Sequence, residues 1–462
     1  MDTRRLLHDV ADRSADWLDE LPHRAVRADR TPAEMTVTDV LGNEPIPAEQ
    51  VIAQLAAEAA PGLTAMGSPR FFGFVIGGAH PAGLAADWLT AAWDQNAGLA
   101  APTPAVSAFE DVAGRWLADL LGLPATASFA LVTGCQMAHV TALAAARHRV
   151  LADAGHDVER DGLFGAPAIR VLGGEERHVT VDRALRLLGL GSGSFVPVAV
   201  DERGAMRADA LVAELAADPG RKRPTIVVAQ VGNVNTGASD PMDDVCDAAG
   251  DAGAWVHVDG AFGLWAAASP ARRHVVRGVE RADSWATDAH KWLNVPYDCG
   301  IAFVRDRDAH RAALAVVAAY LVQDAGGPRE PIDWTPEFSR RARGVAVYAT
   351  LRALGRDGVA ELVDRLCACA ERFATKLGAA GFHVLGQGLN QVLVAAGDDA
   401  ATDAVLVAVQ AEGTCWPSPT TWRDRRCIRI SVCNWQTTSE DVDRSVAAIV
   451  AARDGAGDAR RT

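Results

Sequence analysis

Three short stretches carry side chains whose type and spacing could do chemistry: "LVTGCQMAH" at 131–139, "WVHVDGAFG" at 255–263 and "SWATDAHKWLNVPYDCG" at 284–300. The third sets Asp288, His290 and Lys291 beside Trp292. A lysine held partly out of water is expected to have a lowered pKa and to attack carbonyl carbon. The plain alternative is a surface lysine with an apolar neighbour, which the company of His290 and Trp292 disfavours. Asp259 ends an apolar run 32 residues earlier. In an open α/β sheet ligands collect outside the carboxyl ends of the strands, and a carboxylate buried there needs a cationic or hydrogen-bonding partner. On its own, a strand-end aspartate that caps the next turn reads the same way.

In "LVTGCQMAH" a strand, a glycine turn and a helix start converge several backbone N–H groups at Gly134, Cys135 and Gln136. That arrangement favours an anion such as a phosphate. Taken alone it is an ordinary strand-to-helix turn. His178, in "GGEERHVTVDRALRLLG", precedes a helix; a lone histidine is more often structural, and it gains interest only if a flat aromatic ring needs a stacking partner. The glycine-rich "LGLGSGS" at 188–194 follows a helix instead of opening one from a strand, so it reads as a connection rather than a dinucleotide loop. Phosphate cup, aromatic partner, strand-end carboxylate and lysine occur in an order that would hold the phosphate, face, ring nitrogen and aldehyde of pyridoxal 5'-phosphate.

The elements that must position these residues are legible as apolar runs. "SFALVT", "AIRVLGG", "SFVPVAV", "PTIVVAQVG", "WVHVDGAF", "RADSWATD" and "CGIAFVR" alternate with helical patterns, which predicts a mostly parallel sheet covered on both faces. Residues 1–65 read as an N-terminal helical segment and 66–325 as a large α/β domain. A Gly- and Pro-rich junction follows at 326–345, within a polar stretch that begins at 323. Residues 346–462 read as a small C-terminal α/β domain with strands near "NQVLVAAG" and "RCIRISVCNW".

The chain has 462 residues and a net charge of −14, from 45 basic and 59 acidic side chains. That balance argues against nucleic acid or an anionic membrane as a main partner. No apolar run approaches the length that spans a bilayer, and the charged, amphipathic start is unlike a signal peptide. Eight scattered cysteines fit no zinc spacing. The expectation is a cytoplasmic, reduced, metal-free protein.

These blocks resemble the group II pyridoxal-phosphate-dependent decarboxylases, the family of aromatic-L-amino-acid and glutamate decarboxylases. The likeness extends from "RFFGFVIGGAHPAGLAADWL" through "TPAVSAFEDVAGRWLADLLG" to "CIRISVCNWQTTSEDVDRSVAAI". It implies fold-type I architecture with a seven-stranded sheet in the large domain, and a homodimer with active sites at the subunit interface. By that resemblance Lys291 forms the internal aldimine, Asp259 pairs with the pyridinium nitrogen, His178 stacks on the ring and Ala261 packs on its other face. Gly134, Cys135 and Gln136 would sit at the phosphate with His290 nearby. Asp288 stands where relatives often carry a phosphate-binding asparagine, and an ionised carboxylate there would repel phosphate. "GNVNTGASD" leaves Asn233 or Asn235 as polar contacts. Arg340, Arg341, Arg343 and Arg429 follow the family's layout and could meet a substrate carboxylate, with salt bridges as the default reading.

The implied activity is decarboxylation of an L-amino acid to an amine through a quinonoid. The sequence departs from the family at the loop that follows the lysine. The chain has three tyrosines, Tyr297, Tyr320 and Tyr348, and Pro331 falls near the place of the loop tyrosine that returns the proton in aromatic-amino-acid decarboxylases. Aldehyde-forming oxidation, aminotransfer and carbon–carbon lysis therefore stay open as alternatives, as does a cofactor-binding protein without turnover.

Overall fold

The structure, a computed structural model, describes residues 2–218, 223–316 and 329–459. The chain divides into two compact units. One comprises residues 79–371 with 386–392, the other 1–78 with 372–385 and 393–462.

The larger unit is built on a seven-stranded sheet of β1 (Ser128–Val132), β2 (Arg170–Gly174), β3 (Phe195–Val198), β4 (Thr225–Gln230), β5 (Trp255–Asp259), β6 (Ser284–Asp288) and β7 (Gly300–Val304). The spatial order is β1-β7-β6-β5-β4-β2-β3. The pairs β6–β5, β5–β4, β4–β2 and β2–β3 are parallel, while β7 runs antiparallel to both β1 and β6. The sheet is thus mostly parallel, and each strand falls on one of the predicted apolar runs. Strands β1, β5, β6 and β7 are buried along their whole length, as expected of a sheet covered on both faces.

The helix Cys135–Asp153 lies across this sheet. It is buried nearly all round, and Ala138, Ala142, Ala144, Ala145 and Ala146 are among its buried residues. Small side chains let the helix backbone approach the strands closely, and Ala also carries the best intrinsic helix propensity. Gly134 precedes the helix, and a Cβ on Gly300 would overlap the Gly134 backbone, so β7 and the start of this helix pass each other without room for a side chain. A second helix, Val179–Leu187, is capped by His178, whose ring Nδ1 accepts from the Thr180 amide at 3.3 Å. The run Arg343–Ala379, which reads in the sequence as one long helix, is interrupted at Gly355, where φ is 63°.

The smaller unit joins the two ends of the chain. Phe71–Phe72 pairs in parallel with Trp416–Trp422, which pairs antiparallel with Arg425–Ser431. Arg70, 1% exposed, donates to the carbonyls of Thr414, Pro22 and Arg24 and lies 3.7 Å from Asp441. These bonds place the N-terminal helical segment, read from the sequence as separate at 1–65, in one unit with the C-terminal layer. That unit resumes at Arg372 rather than at 346. No described helix is long and apolar enough to cross a membrane.

Candidate active site

Strands β4, β5 and β6 end side by side, at Gln230, Asp259 and Asp288. Outside these carboxyl ends lies a cleft of about 260 Å³, the position a parallel sheet offers a ligand. Gly134, Cys135, Gln136, His178, Asp259, Ala261, Asp288, His290 and Lys291 all line it. Asn235, of the residues named from the sequence, is not on the cleft wall. Asn233 is buried, and its Oδ1 accepts the amides of Asn235 and Thr236 at 2.9 and 3.2 Å. It therefore holds the turn, and Gly232 and Val234 face the cleft instead.

Asp259 is 4% exposed. Its Oδ1 accepts from the Ala261 amide at 3.2 Å and lies 3.6 Å from His139 Nε2. Among the described residues its Oδ2 has no hydrogen-bond partner. Burial would raise this carboxyl's pKa, but His139, His178 and Lys291 outweigh it and hold the group well below the usual carboxylate range. An ionised oxygen that faces a cleft without a donor is the acceptor a protonated ring nitrogen requires.

Lys291 does not stand as the sequence suggested. Burial favours its neutral amine, yet Asp288 overrides this and raises the pKa above the ordinary value. Nζ lies 2.9 Å from Asp288 Oδ2. In this arrangement Lys291 is an ammonium ion and must lose a proton before it can act as a nucleophile.

Asp288 also meets the start of the helix at Cys135. Its Oδ1 accepts from the Cys135 amide at 2.5 Å and lies 3.4 Å from His290 Nε2. Because Cys299 N donates to His290 Nδ1 at 3.1 Å, the neutral ring carries its proton on Nε2, toward Asp288. Burial keeps His290 neutral by lowering its pKa. The backbone of Asp288 is fixed as well, since its amide donates to Ala261 O and its carbonyl accepts from the Trp265 indole. The predicted phosphate cup thus contains the chain's own carboxylate.

The arginines are engaged elsewhere. Arg340 is fully buried, bonded to Glu110 at 2.7 Å and to the carbonyls of Ala97 and Leu131. Arg341 pairs with Asp87 and Arg343 with Asp298. Arg429, in the smaller unit, is half-buried, its Nε has no partner among the described residues, and burial lowers its pKa to about 10. The polar stretch that begins at 323 lies outside the described residues up to 328. From 329 onward it packs on its own chain: Arg329 pairs with Glu110, Ala100 N donates to Glu330, and Ile332 N donates to Gly98 O. Tyr320 lies outside the described residues, and Tyr297 stacks on His290 at 4.3 Å.

Sequence reasoning missed His139 and His257. Strand alternation places His257 on the same face as Asp259, and His139 follows Cys135 by one helical turn, so both periodicities pointed at the site.

The family model described as "Pyridoxal-dependent decarboxylase conserved domain" matches residues 34–394. The chain belongs to this family. Pyridoxal-dependent decarboxylases are carboxy-lyases that act on amino acids with pyridoxal 5'-phosphate. The L-tyrosine/L-DOPA decarboxylase 2 of Lophophora williamsii is 30% identical over 327 residues, 68% of this chain and 61% of that protein. The phenylacetaldehyde synthase of Petunia hybrida is 26% identical over 366 residues, 76% of this chain and 71% of that one. A crystal structure of Oryza sativa TDC with PLP and tryptamine superposes with a TM-score of 0.91 at 24% identity, over 98% of each chain. That likeness shows the fold-type I architecture of the pyridoxal-dependent decarboxylases.

Proposed function

We propose that this decarboxylase converts an L-amino acid to the corresponding amine and carbon dioxide, with pyridoxal 5'-phosphate held in the cleft through Lys291. The observation that carries the reading is that Lys291 and Asp259, whose Oδ2 meets no donor among the described residues, line one and the same cleft. Bound there, the cofactor is an electron sink that accepts the electron pair left on Cα when the carboxylate departs. Asp259 would hold the ring nitrogen protonated, because its own carboxyl is kept ionised. Ala261 and His178 would bound the ring, Ala261 with a small methyl and His178 with an imidazole fixed by Thr180. Lys291 would receive and return protons at the substrate carbon, a role suited to a side chain that faces the cleft and shares its charge with Asp288.

A panel of L-amino acids, assayed for carbon dioxide and amine in equal amounts, tests this reading. Release of neither by cofactor-loaded protein would refute it. A second reading, aldehyde formation with consumption of oxygen, is favoured by one observation. By the family resemblance Pro331, which has no proton to give, falls near the expected place of the loop tyrosine, and it is buried. Aldehyde and hydrogen peroxide in place of amine would decide for it. A homodimer with the site at the subunit interface belongs to the proposal through family resemblance, and light scattering at the mass of two chains tests it. So does a reducing, cytoplasmic setting, in keeping with eight buried cysteines of which none forms a disulfide.

A further inference from the structure

Behind Asp259 runs a chain of buried polar groups that the proposed reaction does not use. Trp255 Nε1 lies 2.8 Å from Ser284 Oγ, Ser284 Oγ 2.9 Å from His257 Nδ1, and His257 Nε2 2.9 Å from His139 Nδ1. His139 Nε2 then lies 3.6 Å from Asp259 Oδ1 and 3.5 Å from Cys135 Sγ. Ser284, His257 and His139 have no measurable exposure, so bulk water does not reach them, and at these distances their hydrogens go to one another.

We propose that this chain is a one-way hydrogen-bond relay that fixes His139 as the Nε2–H tautomer and makes it the positioning residue for Asp259. The inference rests on the reading of Asp259 as partner of the cofactor's ring nitrogen. Its direction follows from the first member. An indole N–H can only donate, so Ser284 Oγ accepts from Trp255. Among the described residues the Ser284 hydroxyl hydrogen has one acceptor within reach, His257 Nδ1. A neutral His257 with Nδ1 accepting carries its proton on Nε2 and donates it to His139 Nδ1. His139 in turn carries its proton on Nε2, toward Asp259. A doubly protonated His139 would reverse the middle bond and leave the Ser284 hydrogen buried without an acceptor. Burial independently keeps His257 neutral, with its pKa lowered well below the ordinary value.

The consequence is asymmetry at the carboxylate. Oδ1 faces two N–H groups, from Ala261 and His139, so the charge is stabilised and rotation of the carboxylate is opposed, which reserves Oδ2 for the cleft. Cys135 Sγ, His139 Nε2 and Asp259 Oδ1 lie within 4.8 Å of one another. With the proton on Nε2, His139 meets Cys135 Sγ at 3.5 Å and Asp259 Oδ1 at 3.6 Å through an N–H, so the trio is not a set of open metal ligands.

Two measurements test the relay. In protein labelled with 15N-histidine and stripped of cofactor, two-bond proton–nitrogen spectra should show His257 and His139 as Nε2–H tautomers. Ser284→Ala should release His257 from that form. Titration of cofactor-free protein with pyridoxal 5'-phosphate should then show roughly tenfold weaker binding for His139→Phe, about one pKa unit's worth of lost support for the ionised Asp259. His139→Gln, which keeps an N–H, should recover most of the loss. A Nδ1–H tautomer at His257 overturns the relay, and wild-type affinity in His139→Phe overturns its action on Asp259. A wild-type protein that binds no cofactor would instead sink the functional reading, and the tautomers would still decide the relay.

Discussion

Replacing Asp288 with asparagine should speed cofactor capture, because Asp288 stabilises the form of Lys291 that cannot attack an aldehyde. The two charges stand 2.9 Å apart. At an effective dielectric of 20, their gross attraction is about 6 kcal/mol, much of it offset by desolvation. If a quarter survives, about 1.4 kcal/mol, removing the carboxylate shifts the lysine by about one pKa unit. The free-amine fraction near neutral pH then rises about tenfold. Burial, which already acts to lower the Lys291 pKa, would act in the same direction once its counter-charge is gone. The substituted side chain could still accept the Cys135 amide through its own carbonyl oxygen, so the helix start need not move. The phosphate end of the cleft would also lose a negative charge. The assay is stopped-flow absorbance on mixing cofactor-free protein with pyridoxal 5'-phosphate between pH 6.5 and 9.5. Asp288→Asn should capture cofactor at least tenfold faster at pH 7.5, with the rise in rate moved about one unit toward acid. Capture that is unchanged or slower, with an unaltered circular dichroism spectrum, would refute the idea that Asp288 restrains Lys291.

Three further outcomes follow from the packing. Gly300→Ala drives a methyl group into the Gly134 backbone; overpacking of this kind costs about 2 kcal/mol, so urea unfolding should report that loss together with weaker cofactor binding. Arg340→Met leaves Glu110 buried with, among the described residues, Arg329 at 3.4 Å as its one cationic partner, and a broken buried pair costs about 3–5 kcal/mol, readable as a lower unfolding midpoint. His310 is buried between Ser128 Oγ at 2.8 Å and Trp334 O at 3.0 Å, and burial lowers its pKa to about 3. A depressed histidine binds its proton more readily in the unfolded chain. Its stabilising effect is therefore full above pH 6.5 and is lost as the pH falls toward 3. Between pH 7 and 5 the loss should be about 2 kcal/mol, and a His310→Gln variant should show a correspondingly flatter stability profile over that range.

The sheet was legible because its strands are nearly continuous apolar runs, and the ends of β5 and β6 could be placed from the change to polar residues at Asp259 and Asp288. The cleft was legible for a related reason: in a parallel sheet, residues at adjacent carboxyl ends meet, so Asp259 and Lys291 could be joined without knowing any distance. What escaped were relations that depend on atoms rather than on periodicity. The sequence places Asp288 near Lys291 but does not say that the carboxylate would take both the ammonium and the Cys135 amide. Periodicity places His139 one helical turn after Cys135, but only its 2.9 Å contact with His257 shows what it does there. The union of the first 78 residues with the C-terminal strands was hidden because it rests on a two-residue pairing of Phe71–Phe72 with Trp416 and Pro417 and on Arg70, whose carbonyl partners are backbone groups that carry no sequence signature. The arginines of "FSRRARG" resemble ligands for a carboxylate, and they do bind carboxylates, but those of Glu110, Asp87 and Asp298.

The central claim is that one amine, Lys291, carries the cofactor. Borohydride reduction of cofactor-loaded protein, followed by peptide mass mapping, tests it without reference to any substrate. The account predicts a cofactor-derived mass on the peptide containing Lys291, and none in Lys291→Ala under the same conditions. A label on another lysine, or no label at saturating pyridoxal 5'-phosphate, would contradict it.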